Sequence, residues 1–317
     1  VGYAFMFLVP LAWGWTLDPA GMREVWWESM ALTAGAGFLL WFVTMDYRRE
    51  LLPRDGFLLV NLVWSMLPAF SAIPLMLAIP DLSFTDAYFE TMSGFTTTGF
   101  TVLSGLDQLP VSVNIWRCVL QLFGGLGIML LVVAVLPLLG LGSVQLYKAE
   151  AAGPIKDDRL TPRIAETARG LWSIYFVFSG ACMLAYRWAG MGWADAFMHM
   201  CSTMGLGGLS SHDASFGYFN SPVIEGVAIV FMTLSGVSFA RYFIVWRARS
   251  LRSLFHDAEV RGYVGVLVAS VALVTGVLMY HQTHTNPWDS LWHAAFHVVS
   301  FATTTGYASQ DYSVWPI

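Results

Sequence analysis

Two stretches of the chain repeat one tetrapeptide, each time followed by an aromatic residue: S-G-F-T-T-T-G-F-T at 93–101 and S-F-A-T-T-T-G-Y-A at 300–308. The chemistry open to such a sequence is coordination of a cation by oxygen. A dehydrated cation exchanges its water shell for other oxygens, and a ring of backbone carbonyls can supply them. Carbonyls converge only if the loop is extended and carries unusual dihedrals. Glycine permits positive φ at no steric cost. Threonine is stiff, favours extended backbone and can add a hydroxyl oxygen. A short helix ahead of the loop would aim the negative end of its dipole at the ion.

The motif belongs to a longer internal repeat, an early thing to seek in any sequence. Aligned without gaps on Ser93, Ser202 and Ser300, three segments match: Asp86–Thr101, Asp195–Ser210 and His293–Ala308. The frame is a polar residue, Ala, bulky apolar positions, Glu or His (Glu90, His199, His297), then Ser, then Gly six residues later. Gly99, Gly208 and Gly306 align, followed by Phe100, Leu209 and Tyr307. The expected carbonyl ladders are Thr96, Thr97, Thr98, Gly99 and Phe100; Gly205, Leu206, Gly207, Gly208 and Leu209; and Thr303, Thr304, Thr305, Gly306 and Tyr307. In the middle copy Gly205, Leu206 and Gly207 stand in place of three threonines.

The elements that must hold these loops are apolar helices. Of the 317 residues 56% are hydrophobic and 12% charged, against about 25% charged in soluble proteins, so the chain reads as a membrane protein. A crossing takes about 20 apolar residues. Candidate spans are 1–17, 29–45, 57–79, 112–140, 170–190, 222–246 and 262–281, with Pro10, Pro68, Pro74 and Pro137 in the interior of three of them. Twelve of the sixteen Lys and Arg residues lie in the loops 46–56, 141–169 and 247–261. The positive-inside rule places those loops in the cytoplasm. The repeat segments then fall on the outside, between spans, as re-entrant units. Irregular backbone at membrane depth is tolerable where it lines a cavity or is buried in protein. The expected organisation is two N-terminal helices (1–50), then pore-loop repeats over 51–145, 146–255 and 256–317, the last one truncated.

Other polar residues in apolar surroundings have two readings each. Arg117, four residues before Gln121, either faces the protein interior as a functional charge or snorkels to the interface. Gly124, Gly125 and Gly127 allow close helix packing or leave pore width. Glu90, His199 and His297 either satisfy buried groups behind the loops or act at a pore mouth. Cys118, Cys182 and Cys201 lack metal spacing and read as small buried hydrophobes. His281, His284, His293 and His297 leave open a His-ligated metal or haem. H-A-A-F-H lacks the glutamate of H-E-x-x-H, which argues against zinc hydrolysis. The chain has no G-x-x-x-x-G-K-[ST] phosphate loop, so no ATP hydrolysis and no enzymatic role is expected.

The chain resembles the potassium-translocating subunits of the Trk/Ktr/HKT superfamily, nearest its bacterial TrkH branch. The resembling stretches are R-D-G-F-L-L-V-N-L-V-W at 54–64, S-G-F-T-T-T-G-F at 93–100, W-R-C-V-L-Q-L-F-G-G-L-G at 116–127, C-S-T-M-G-L-G-G-L-S-S-H-D at 201–213 and S-F-A-T-T-T-G-Y at 300–307. The resemblance implies an all-α polytopic fold of four helix–pore-loop–helix units around one pore, of which three are present. It implies a filter with one glycine from each unit, potassium as the transported ion, and a homodimer in the bacterial inner membrane. It also implies gating by a cytosolic, nucleotide-binding TrkA-like subunit; no nucleic acid is expected as a partner. In the sodium-selective branch the first filter glycine is serine; Gly99 here points to potassium. A sodium-permeable or unregulated channel of the same fold is the alternative. The fourth loop and the inner helix of the third repeat, which carries the family's gate loop, lie outside this chain.

Overall fold

The computed structural model describes residues 1–47, 53–135, 160–250 and 252–316. Among them every regular element is helical. A 3-10 turn over Gly2–Phe7 leads into α1 (Leu8–Leu17). Then come α2 (Gly21–Thr44), α3 (Pro53–Ala78), the short α4 (Phe84–Phe95) and α5 (Val111–Val135). The second unit is α6 (Leu160–Trp188), the short α7 (Trp193–Gly205), α8 (Pro222–Ser235) and α9 (Phe239–Ala248). A single turn, α10 (Arg252–Phe255), precedes α11 (Ala258–Tyr280) and the short α12 (Pro287–Ala302).

Among the described residues four helices are long and apolar enough to cross a bilayer: Asp55–Ala78, Val111–Met129, Glu166–Trp188 and Ala258–Tyr280. They coincide with four expected spans. The other three expectations need correction. Gly2–Leu17 is apolar but shorter than a crossing requires. The span expected over 29–45 begins at Gly21; in its first turn the Arg23 guanidinium lies 4.3 Å over the Trp15 ring and its Nη2 donates to the Trp15 carbonyl at 3.0 Å. The span expected over 222–246 is broken, with α8 and α9 meeting at 80°. The break is stabilised by hydroxyls: Tyr242 donates to the Leu234 carbonyl at 2.7 Å and Tyr263 to that of Thr233 at 3.3 Å. Of the basic loops, residues 48–52, 141–159 and 251 lie outside the described residues, as do 136–140 of the span expected over 112–140.

Proline interrupts α3 at Pro68 and Pro74. Neighbouring helices bond its backbone within this stretch. Thr91 Oγ1 reaches the Pro68 carbonyl at 2.8 Å and Trp116 Nε1 that of Ser71 at 3.0 Å. The N-terminal helices pin the start of α5. The Asp18 carboxylate accepts from the Val111 and Ser112 amides at 2.7 and 2.9 Å, a negative charge at a helix N-terminus. Trp26 Nε1 donates to Ser112 Oγ at 2.9 Å, and Phe7 stacks on Trp116 with centroids 4.6 Å apart. The outcome is a fixed α5, which packs on both α4 and α7 and so sits between the first two loops.

Candidate functional site

Each short helix ends in the same closure. The amides of Thr97 and Thr98 donate to the carbonyls of Gly94 and Ser93 at 3.1 and 2.9 Å. Leu206 and Gly207 do the same to Thr203 and Ser202, at 3.2 and 3.0 Å. Thr304 and Thr305 do so to Phe301 and Ser300, at 3.0 and 2.8 Å. This is the Schellman pattern, in which the residue just past the C-cap takes the left-handed conformation. Glycine usually fills that position. Here it is Thr97 (φ 55), Leu206 (φ 53) and Thr304 (φ 61), each held at a cost of roughly 1–2 kcal/mol. Two residues on, Gly99, Gly208 and Gly306 return to positive φ at 81, 73 and 84. The serine on which the repeats align is the residue whose carbonyl closes the helix.

Two expectations change. The glycines do take positive φ, but the loops are not extended throughout. Thr96 and Thr303 are still helix caps (φ −84 and −88, ψ 2 in both), and the middle residue of each triplet is left-handed. Threonine's extended preference is overridden because the closing bonds from the helix end fix the turn. The outer threonines explain the triplet. Thr96 Oγ1 donates to the Met92 carbonyl at 2.7 Å and pairs with Thr98 Oγ1 at 2.7 Å. Thr303 Oγ1 donates to Val299 at 2.7 Å and pairs with Thr305 Oγ1 at 2.8 Å. A hydroxyl has one proton, so Thr98 and Thr305 are the donors of these pairs, which tie the loop to its helix across the left-handed residue. Loop two has no such pair; Gln121 of α5 contacts it instead, with Nε2 donating to the Gly207 carbonyl at 2.6 Å.

Behind the loops runs a second repeated contact, eleven residues long. Glu90 accepts from Thr101 Oγ1 at 3.0 Å and from the Val102 amide at 3.0 Å. His199 Nε2 meets Ser210 Oγ at 3.0 Å, while its Nδ1 donates to the Asp195 carbonyl at 2.9 Å. His297 Nδ1 likewise donates to the His293 carbonyl at 2.9 Å. The counterpart of Thr101 and Ser210 is Ala308, which has no hydroxyl, and His297 Nε2 has no hydrogen-bond partner among the described residues. Of the two readings of this position, bracing the loop from behind is the one the contacts support. Arg117 is an interior charge, 1% exposed. Its Nε pairs with Glu90 Oε1 at 2.7 Å, its Nη2 donates to Thr101 Oγ1 at 3.1 Å and its Nη1 to the Ser210 carbonyl at 3.3 Å. One guanidinium therefore touches the ends of loops one and two.

The loops nest in sequence. A Cβ built on Gly99 would lie 1.9 Å from the Gly207 carbonyl oxygen, and one on Gly208 would lie 1.9 Å from that of Thr305. Each glycine is thus the seat for the residue that precedes the next loop's glycine. Among the described residues a Cβ on Gly306 meets nothing within 4 Å. Gly124 brings α5 against loop one, since a Cβ there would fall 2.1 Å from the Phe95 carbonyl oxygen. Close approach, not spare width, is what this glycine provides. Tyr307 is fully buried and reaches back into the second unit, its hydroxyl donating to the His199 carbonyl at 3.3 Å, whereas Phe100 is 69% exposed. Cys118, Cys182 and Cys201 are buried free thiols.

This arrangement of three helix-closing loops finds its counterpart in known proteins. The model of the TrkH family, described as a cation transport protein, matches residues 23–317. The chain belongs to the TrkH family. It is 45% identical over 297 residues to the Trk system potassium uptake protein TrkH of Halomonas elongata, covering 93% of this chain and 61% of that protein. It is 42% identical over 298 residues to the protein of the same name from Escherichia coli strain K12, covering 94% of this chain and 62% of that one. The crystal structure of the potassium transporter TrkH from Vibrio parahaemolyticus superposes with a TM-score of 0.88 at 35% identity, covering 99% of this chain and 64% of that one. The chain therefore spans about three fifths of the length of the TrkH relatives it matches.

One feature of this TrkH-family chain was not anticipated from its residues. Just past loops one and two, His212 Nδ1 pairs with Asp107 Oδ1, and His212 Nε2 lies 3.4 Å from Asp195 Oδ1. The Leu106 amide donates to Asp213 Oδ2 at 3.0 Å, and the Asp213 amide to Asp107 Oδ2 at 3.3 Å. The motif S-S-H-D at 210–213 carried the only signal, polar residues directly after a repeat copy. Its partner lies 105 residues away, a distance that no spacing rule reaches.

Proposed function

We propose that this chain is the larger part of the ion-translocating subunit of a Trk-type potassium uptake system in the bacterial inner membrane. The repeats run over 51–145, 146–255 and 256–317, with the basic loops 46–56, 141–169 and 247–261 cytoplasmic and the Thr/Gly loops outside. The residues Thr96–Phe100, Gly205–Leu209 and Thr303–Tyr307 are three walls of a potassium filter. The subunit works as a homodimer under a cytosolic TrkA-like regulator and transports its ion without enzymatic chemistry.

The observation that carries this reading is the nesting of the loops. Three short helices close by the same bonds, turn twice through positive φ, and place each glycine against a backbone carbonyl of the next loop. Helix C-termini carry partial negative charge, which suits a cation. Filters of this kind exchange hydration for backbone oxygen.

The test is Gly99→Ser in the full-length protein, expressed in cells that lack their own potassium uptake. The added side chain must displace the Gly207 carbonyl and sits at positive φ. The loop must shift to accept the side chain, so the potassium-to-sodium uptake ratio should fall by roughly tenfold, which corresponds to about 1.4 kcal/mol of discrimination. An unchanged ratio with normal protein abundance would overturn the filter assignment. A wild-type protein that carries sodium as readily as potassium would favour the sodium-permeable reading.

A further inference from the structure

Loops one and three brace themselves, and loop two does not. In loops one and three the hydroxyls of Thr96 and Thr98, and of Thr303 and Thr305, pair at 2.7 and 2.8 Å within one loop. In loop two both hydroxyl positions are glycine, Gly205 and Gly207. The space is occupied by another repeat. A Cβ on Gly207 would lie 2.3 Å from Gln121 Nε2 and 2.4 Å from its Cδ, and one on Gly205 would lie 2.6 Å from the Gln121 carbonyl oxygen. The two glycines are the imprint of α5 on the loop.

Gln121 is fully buried, and both ends of its amide bond the second repeat. Nε2 donates to the Gly207 carbonyl at 2.6 Å. Oε1 accepts from the Leu209 amide at 3.3 Å and from the Ser202 hydroxyl. These partners fix which end of the amide is which, and they clasp both sides of Gly208. The same Gly207 carbonyl is the one seated against Gly99. A bond from Gln121 therefore sets the position of an oxygen at the contact between loops one and two.

Resting on the filter reading above, we propose that Gln121 is a positioning residue for ion selectivity. From the first repeat it holds the second loop in the shape that threonine hydroxyls impose on the first and third. Loop two is accordingly the wall whose shape follows the placement of α5. A substitution at Gln121 should act on discrimination between ions and not only on folding.

The experiment is a double-mutant cycle in the full-length protein, reading potassium and sodium uptake alongside membrane abundance. Gln121→Ala should lower the potassium-to-sodium ratio about three- to tenfold, the range for one or two lost hydrogen bonds, and raise the KM for potassium at unchanged abundance. Gly207→Ala alone should lower the ratio similarly, by collision with the amide. In the double variant that collision is gone, so its ratio should be no worse than that of Gln121→Ala. A wild-type ratio in Gln121→Ala, a loss of abundance with no change in ratio, or multiplied losses in the double variant would each overturn the proposal. Should Gln121→Ala fail to reach the membrane, Gln121→Met, similar in length, gives the same reading. Gly99→Ser is the control: if it shifts the ratio and Gln121→Ala does not, the Gln121 assignment alone falls, and if neither does, the filter reading falls.

Discussion

At the level of single residues, the repeat alignment turned out to encode contacts as well as shape. Glu90, His199 and His297 share one position, and the first two bond the residue eleven places later. Thr101 and Ser210 answer with hydroxyls; Ala308 cannot. His297 donates its Nδ1 proton to a backbone carbonyl, which leaves Nε2 as an acceptor. Ala308→Ser should supply the missing donor and stabilise the protein by about 1 kcal/mol, seen as a raised melting temperature in detergent. An unchanged or lower melting temperature would mean that the third unit is braced differently. The roles of Arg117 were not legible in advance because they depend on which way one helix face turns. An interfacial arginine and a buried one paired with Glu90 have the same local sequence. The positive φ of Gly99, Gly208 and Gly306 was legible, since only the repeat's invariant glycine fits. That of Thr97, Leu206 and Thr304 was not, because helix closure imposes it against side-chain preference.

At the level of elements, the short helices and loops were visible from the repeat, while the course of the spans was less so. The kink between α8 and α9 lies at G-V-S (236–238), a weak breaker in an otherwise apolar run, and the tyrosines that stabilise it come from α9 and α11. The brace just past loops one and two has a pH signature. Burial works against a charge on His212, but its bonds and charge contacts with Asp195 and Asp107 outweigh this and raise its pKa. The bond from His212 holds the Asp107 carboxyl below its ordinary value. A raised His pKa contributes stability that is full below the unfolded value, about 6.5, and is lost as pH rises through the folded value. A depressed carboxylate contributes stability that is full above about 4 and is lost as pH falls further. Melting temperature should therefore decline as pH rises from 6 toward 8, and His212→Gln should flatten that decline. A slope that survives His212→Gln would assign it to other groups.

At the level of the whole molecule, the sequence-level reading and the structure agree on an all-helical membrane protein in which three equivalent loops come together. The repeat spacing could say that the loops were alike, but not that they touch in order. That follows only from the seating of Gly207 against Gly99 and of Thr305 against Gly208. The N-terminal helices anchor α5 through Asp18 and Trp26, and α5 in turn contacts loop one through Gly124 and loop two through Gln121. The central claim is that these loops surround a bound potassium ion. It is tested most directly by diffraction from the full-length protein with rubidium replacing potassium, recorded at the rubidium absorption edge. The account predicts an anomalous peak enclosed by the loops at the level of Gly99, Gly208 and Gly306, weakened when sodium replaces rubidium. A rubidium peak lying elsewhere along the protein, with none between the three loops, would contradict it.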